Sequence, residues 1–181
     1  DGLVYKLDYT RTTKKQKLFE VGLNYFSTEL KTDKLSNLNT DYSKTGMDVS
    51  YLKQLYNKNG FAVHLGLQSR TNLSLYHNGD YTTFHQEFGI TGRFSYTLDE
   101  RHYLSSRLTL PVVLFRLTNA EGKFYALDNY QSALWDLDYG YKLSNHFELK
   151  ASYNFNYARL QVPSAYRELQ HQINLSINYK F

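Results

Sequence analysis

The chain has 181 residues, including 18 Tyr and 11 Phe but only 2 Pro and no Cys, and carries a formal net charge of +4. That length suits one domain with room for a core or a closed barrel. The missing cysteine excludes a disulfide scaffold, a thiolate metal site, a Cys nucleophile and a lipid-modified N-terminal Cys. Basic residues are scattered, and the one cluster, Lys14, Lys15 and Lys17, reads as a solvated turn, so no nucleic-acid surface is expected. No apolar run is long enough for a membrane-spanning helix.

Period-2 segments bounded by polar turns recur along the whole chain, the pattern of two-faced strands. Residues 3–10 alternate Leu3, Tyr5, Leu7 and Tyr9 with Val4, Lys6 and Asp8. Phe19, Val21, Leu23 and Tyr25 mark the next strand, then Met47, Val49 and Tyr51, then Phe61, Val63, Leu65 and Leu67. The segment after that sets Phe84, Phe88, Ile90, Phe94 and Tyr96 against His85, Glu87 and Arg93. Around 103–116, Leu104, Leu108, Leu110, Val112 and Leu114 are expected on one face. Ala133, Trp135, Leu137, Tyr139 and Tyr141 follow, opposed by Asp136, Asp138 and Lys142. Phe147, Leu149, Ala151, Tyr153, Phe155 and Tyr157 alternate with Glu148, Lys150, Asn154 and Asn156, and the last strand occupies about 169–181.

The connections alternate in length. Short turns are expected at 57–60, 98–101 and 143–146, and long loops at roughly 29–45, 70–82, 117–129 and 158–168. Short turns at one end and long loops at the other characterise transmembrane barrels of the Gram-negative outer membrane. The apolar faces are heavily aromatic, which suits the two membrane–water interfaces. The opposite faces carry charges, amides and glycines, which suits a narrow lumen. The expected fold is an all-β, antiparallel up-and-down transmembrane barrel, with short periplasmic turns and long extracellular loops. It has eight strands over residues 17–181, with 1–16 an extension or an extra strand; a strand missing upstream would make ten.

The chain resembles small outer-membrane β-barrels, and the likeness is sharpest at its end. Ile173, Leu175, Ile177, Tyr179 and Phe181 alternate and finish on an aromatic, as in the C-terminal β-signal of such proteins. The resemblance implies that these residues are read by the barrel-assembly machinery and that the protein resides in the bacterial outer membrane, against lipid and lipopolysaccharide. The Tyr- and Asn-rich composition and the "NYKF" ending are similar to barrels from Bacteroidota.

The polar faces supply the candidate site: His64, His85, Glu87, Arg93, Arg107, Asp136, Asp138, Glu148 and Lys150. The 98–101 turn sets Arg93 near Arg107, so acids are needed beside them, and Asp136 or Asp138 is the expected source. The expected role is a non-enzymatic structural, adhesive or assembly subunit with an ion-pair network filling its lumen. One alternative is a narrow pore or the C-terminal part of a larger transporter. Another is an outer-leaflet lipid acyl hydrolase drawing on Ser74, His77, Asp80, Ser164 or His171. The six histidines lack paired ligand spacing and no phosphate-cradling glycine loop occurs, so no metal or cofactor is expected. The long loops, with Tyr42, Tyr76, Tyr81, Phe124, Tyr125, Tyr130 and Tyr166, offer contact to other envelope proteins.

Overall fold

The computed structural model describes residues 2–30, 40–76, 81–118, 121–162 and 165–179. Ten strands run in order: β1 (Gly2–Thr12), β2 (Lys17–Leu30), β3 (Thr40–Lys58), β4 (Phe61–Tyr76), β5 (Tyr81–Thr97), β6 (His102–Thr118), β7 (Glu121–Ala126), β8 (Tyr130–Lys142), β9 (Phe147–Leu160) and β10 (Tyr166–Tyr179). They form one antiparallel sheet curled into a half-barrel. Its order is β1-β2-β3-β4-β5-β6-β8-β9-β10, and the short β7 pairs with the far end of β6.

The expected eight strands therefore become ten, for two reasons. Gly2–Thr12 is laddered along the whole of β2, from Gly2 opposite Thr28 to Thr12 opposite Leu18. Residues 121–126, expected within a loop, form β7 instead. Several strands also outrun the length that a tilted crossing requires: β3 has 19 residues and β5 and β6 have 17 each, against about 10 for a bilayer span. The extra length comes from the expected loops, since β3 begins at Thr40 and β4 ends at Tyr76.

Tight turns close the hairpins at one end. Asn59 and Gly60 both have positive φ, at 52° and 77°, the geometry of a two-residue turn whose twist matches the flanking strands. In the 98–101 turn, Asp99 Oδ1 accepts the backbone N–H of Arg101 and of His102. In the 143–146 turn, Ser144 Oγ accepts those of His146 and Phe147.

The sheet is inverted relative to a water-soluble one. Buried side chains include Glu20, Lys44, His64, Gln68, Asn72, Glu87 and Glu148, whereas Leu67, Ile173 and Leu175 are 68%, 83% and 84% exposed. One part of β6 departs from the expected facing. Phe88 pairs with Val113 and Gly89 with Pro111, which leaves Val112 as a bulge. One extra residue flips every later side chain to the other face. Leu114, expected outside beside Leu110, is therefore fully buried while Leu110 is exposed. Pro111, with no N–H to give the ladder, sits where the register breaks.

Nine strands lie on the sheet path and every neighbouring pair is antiparallel. The first and last, β1 and β10, consequently run in the same direction, and no ladder joins them among the described residues. Ion pairs bring strands near these two edges together instead. Lys44 Nζ of β3 meets Glu168 Oε1 of β10 at 3.2 Å, and Lys150 Nζ of β9 lies 3.8 Å from Asp8 Oδ2 of β1.

Candidate functional site

The inner face gathers its charges by register and by curvature. Arg93 and Arg107 are direct partners across the β5–β6 ladder, and Arg107 is in turn opposite Asp136 on β8. Two guanidinium groups side by side repel unless acids intervene. Glu20, on β2 across the concave face, supplies one carboxylate oxygen to each: Oε1 accepts from Arg93 Nη1, and Oε2 from Arg107 Nη1 at 2.9 Å. Arg107 Nε also donates to Asp136 Oδ2 at 3.1 Å, and Asn154 Nδ2 donates to Asp136 Oδ1 at 2.6 Å. Arg93 Nε donates to Ser105 Oγ at 3.0 Å. A chain of hydrogen-bonded charges thus reaches from β2 through β5 and β6 to Asp136 of β8, where Asn154 of β9 ends it.

The remaining candidates lie around this chain. Glu148 accepts from Tyr103 Oη at 2.5 Å and from Asn178 Nδ2 at 3.0 Å. Gly140 makes room for that contact: a Cβ there would fall 2.1 Å from the Tyr103 ring. Asp138 stands in register between Ser105 and Ser152 without joining the chain. Lys150 meets Asp8 near the seam. Glu87 is separate, toward the other end, where Tyr130 Oη donates to it at 2.6 Å. His85 is the register partner of Arg116. His64, opposite Arg93, is 8% exposed, with its Nδ1 buried and unpartnered among the described residues.

Sequence reasoning missed Glu20, Asp8, Lys44 and Glu168. Glu20 and Asp8 lie between apolar neighbours and Glu168 precedes Leu169, so the rule that selected the other nine would have selected these three too, whereas Lys44 lies between Ser43 and Thr45, where no alternation marks it. Their partners were beyond reach, because curvature decides which points meet across the concave face. Tyr130 was missed for a different reason. Expected on an exposed loop, it is fully buried with Leu114, Ala158 and Leu160 in a small apolar cluster.

Of the residues weighed for hydrolysis, His77, Asp80 and Ser164 lie outside the described residues, as does Phe181 of the terminal signal. Ser74 is buried, its Oγ 3.1 Å from Tyr42 Oη, and His171 Nδ1 is bonded to Tyr153 Oη at 2.6 Å. Ile173, Leu175, Ile177 and Tyr179 occupy the exposed face of β10, between 53% and 84% exposed.

No protein-family model matches the chain, and no curated protein does. Among solved structures it is similar to OmpT (in-vitro folded), an outer membrane protein of Vibrio cholerae, with 10% sequence identity and a TM-score of 0.44. That likeness covers 98% of this chain and 55% of the other, so the chain spans about half the length of that neighbour.

Proposed function

We propose that the chain is a β-barrel of the bacterial outer membrane, acting as a non-enzymatic structural or assembly subunit whose lumen is closed by an ion-pair network. The observation that carries this reading is the link from Glu20 to both Arg93 and Arg107, extended to Asp136. Placed across a narrow lumen, it occupies the path an ion would take. Support for a membrane comes from the inverted faces. Water would leave the row Leu65, Leu67, Ile90, Leu108 and Leu110 unburied, whereas hydrocarbon satisfies it. The alternating end of β10 fits a signal for the barrel-assembly machinery, and the aromatic-rich sequence fits a Bacteroidota barrel.

The parallel relation of β1 and β10 favours a larger closed barrel. An odd number of further strands between them lets every neighbour run antiparallel, and one such strand gives an even total of ten on the path. It also removes both free edges, whose unpaired backbone groups hydrocarbon does not tolerate.

Planar-bilayer recording tests the plug. The purified protein should show no steady ionic conductance, while Glu20→Gln should open measurable current. Steady conductance by the unaltered protein would instead support the narrow-pore reading.

A further inference from the structure

Arg159 of β9 and Arg167 of β10 are direct register partners. Ala158 and Leu160, on either side of Arg159, are buried in the inner apolar cluster, so the arginine between them turns outward, and its partner with it. Arg159 is half-buried and Arg167 exposed. Like charges directly opposite in a ladder are destabilising. On the inner face the same conflict is resolved by a shared acid, since Arg93 and Arg107 both hold Glu20. The outer pair has no such acid among the described residues. Glu168, next to Arg167 in sequence, turns inward to Lys44, and Asp128, in the turn before β8, accepts from Asn129 Nδ2 at 2.8 Å. Gln131, opposite Arg159 on β8, adds an exposed amide to the same surface.

The height of the pair on the sheet identifies what it faces. Below it the β9–β10 ladder runs from Leu169 opposite Tyr157 to Tyr179 opposite Phe147. The outward side chains of that stretch are apolar or aromatic except His171, which shares a 2.6 Å hydrogen bond with Tyr153 Oη. Its length matches the roughly ten residues of a tilted bilayer crossing. The two arginines follow immediately, at the long-loop end, where lipid headgroups rather than hydrocarbon surround the sheet. Long cationic side chains reach naturally for that level.

The chemistry of the partner follows. A guanidinium presents paired N–H donors in a plane that matches two oxygens of a phosphate. One phosphate between two guanidiniums removes their repulsion outside, as Glu20 does inside. On the long-loop side of a Gram-negative outer membrane the lipid is lipopolysaccharide, whose lipid A base carries phosphate on its sugars. Acyl chains beneath such a phosphate would lie along Leu169, Ile173 and Leu175, which are 59%, 83% and 84% exposed. We infer that Arg159 and Arg167 form a binding site for a lipid A phosphate on the lipid-facing surface of β9 and β10.

The inference rests on the barrel reading, which sets this surface against lipid. Native mass spectrometry of the protein at its natural length, folded in detergent and titrated with diphosphoryl lipid A, tests it. The unaltered protein should retain lipid A, and lipid A stripped of its phosphates should be retained about tenfold more weakly. Arg159→Gln and Arg167→Gln, each checked for folding by circular dichroism, should weaken retention of the phosphorylated lipid by a similar factor. Lys123→Gln, on the exposed β7, should leave it unchanged. Equal retention of phosphorylated and stripped lipid A would overturn the inference, as would undiminished retention by both folded Gln variants. Displacement of lipid A by an equal concentration of phosphatidylglycerol, or by inorganic phosphate, would overturn it too. The stripped-lipid comparison needs no variant, so it decides the matter even where a variant fails to fold. A protein whose β6 faces lipid yet retains no lipid A contradicts this site alone, whereas one that is soluble and monomeric without detergent contradicts the barrel reading.

Discussion

Arg107 Nη1 on β6 lies 2.9 Å from Glu20 Oε2 on β2, across the concave face of the sheet and 87 residues apart in sequence. Glu20 is the common acceptor for two arginines that are themselves register partners. Its side chain is 8% exposed, so removing its charge leaves Arg93 without its acid partner in a poorly solvated place, while Arg107 keeps Asp136. Breaking such a pair costs about 3 kcal/mol. Glu20→Gln should therefore lower unfolding stability in detergent micelles by about that much. The double variant Glu20→Gln with Arg93→Gln should recover part of it, as the like charges are halved. Equal losses in the single and double variants, measured by urea titration, would show that the network does not couple these groups.

The Asn59–Gly60 turn gives a backbone prediction. Gly60 has φ of 77°, and a Cβ there would stand 3.0 Å from the Thr97 carbonyl oxygen. Gly60→Ala meets both the left-handed penalty and that contact, and should cost about 1–2 kcal/mol. Lys58→Ala, beside it on an exposed strand end, should cost little. Urea unfolding of the two variants measures the difference.

Acid should act on the 98–101 turn through Asp99. The N–H groups of Arg101 and His102 donate to its carboxylate at 2.7 and 2.8 Å, which holds its pKa below the usual carboxylate range. Donors to the ionised form favour that form. With the folded pKa depressed, the stabilisation is complete above the unfolded pKa and is lost as pH falls through the folded one. NMR titration of the Asp99 carboxyl carbon should give a midpoint below 3.8. In Asp99→Asn the matching acid step in the Arg101 and His102 amide shifts should vanish.

How much of this was legible in the sequence varies residue by residue. Strict alternation from Phe147 to Tyr157 identifies a strand and its two faces, because a side-chain period of 2 is a local property. The pairing of Arg93 with Arg107 is also local, fixed by the short turn between them. Leu114 is not legible in this way, since a bulge at Val112 adds a single residue that leaves no compositional trace beyond the neighbouring Pro111. Lys44 with Glu168, 124 residues apart, depends on how tightly the whole sheet curls. Candidate charges could be read from sequence, but the arrangement that joins them could not.

Residues 108–117 of β6 hold the most direct test of the central claim, that these strands turn apolar side chains to lipid and polar ones inward. The chain has no native Cys, so single nitroxide-labelled cysteines can be placed there one at a time in lipid vesicles. Oxygen collisions should peak at 108 and 110, shift phase at 112, and peak again at 113, 115 and 117. Collision maxima at 109, 111, 114 and 116, or labels on the apolar positions reached mainly by a water-soluble relaxant, would contradict the account.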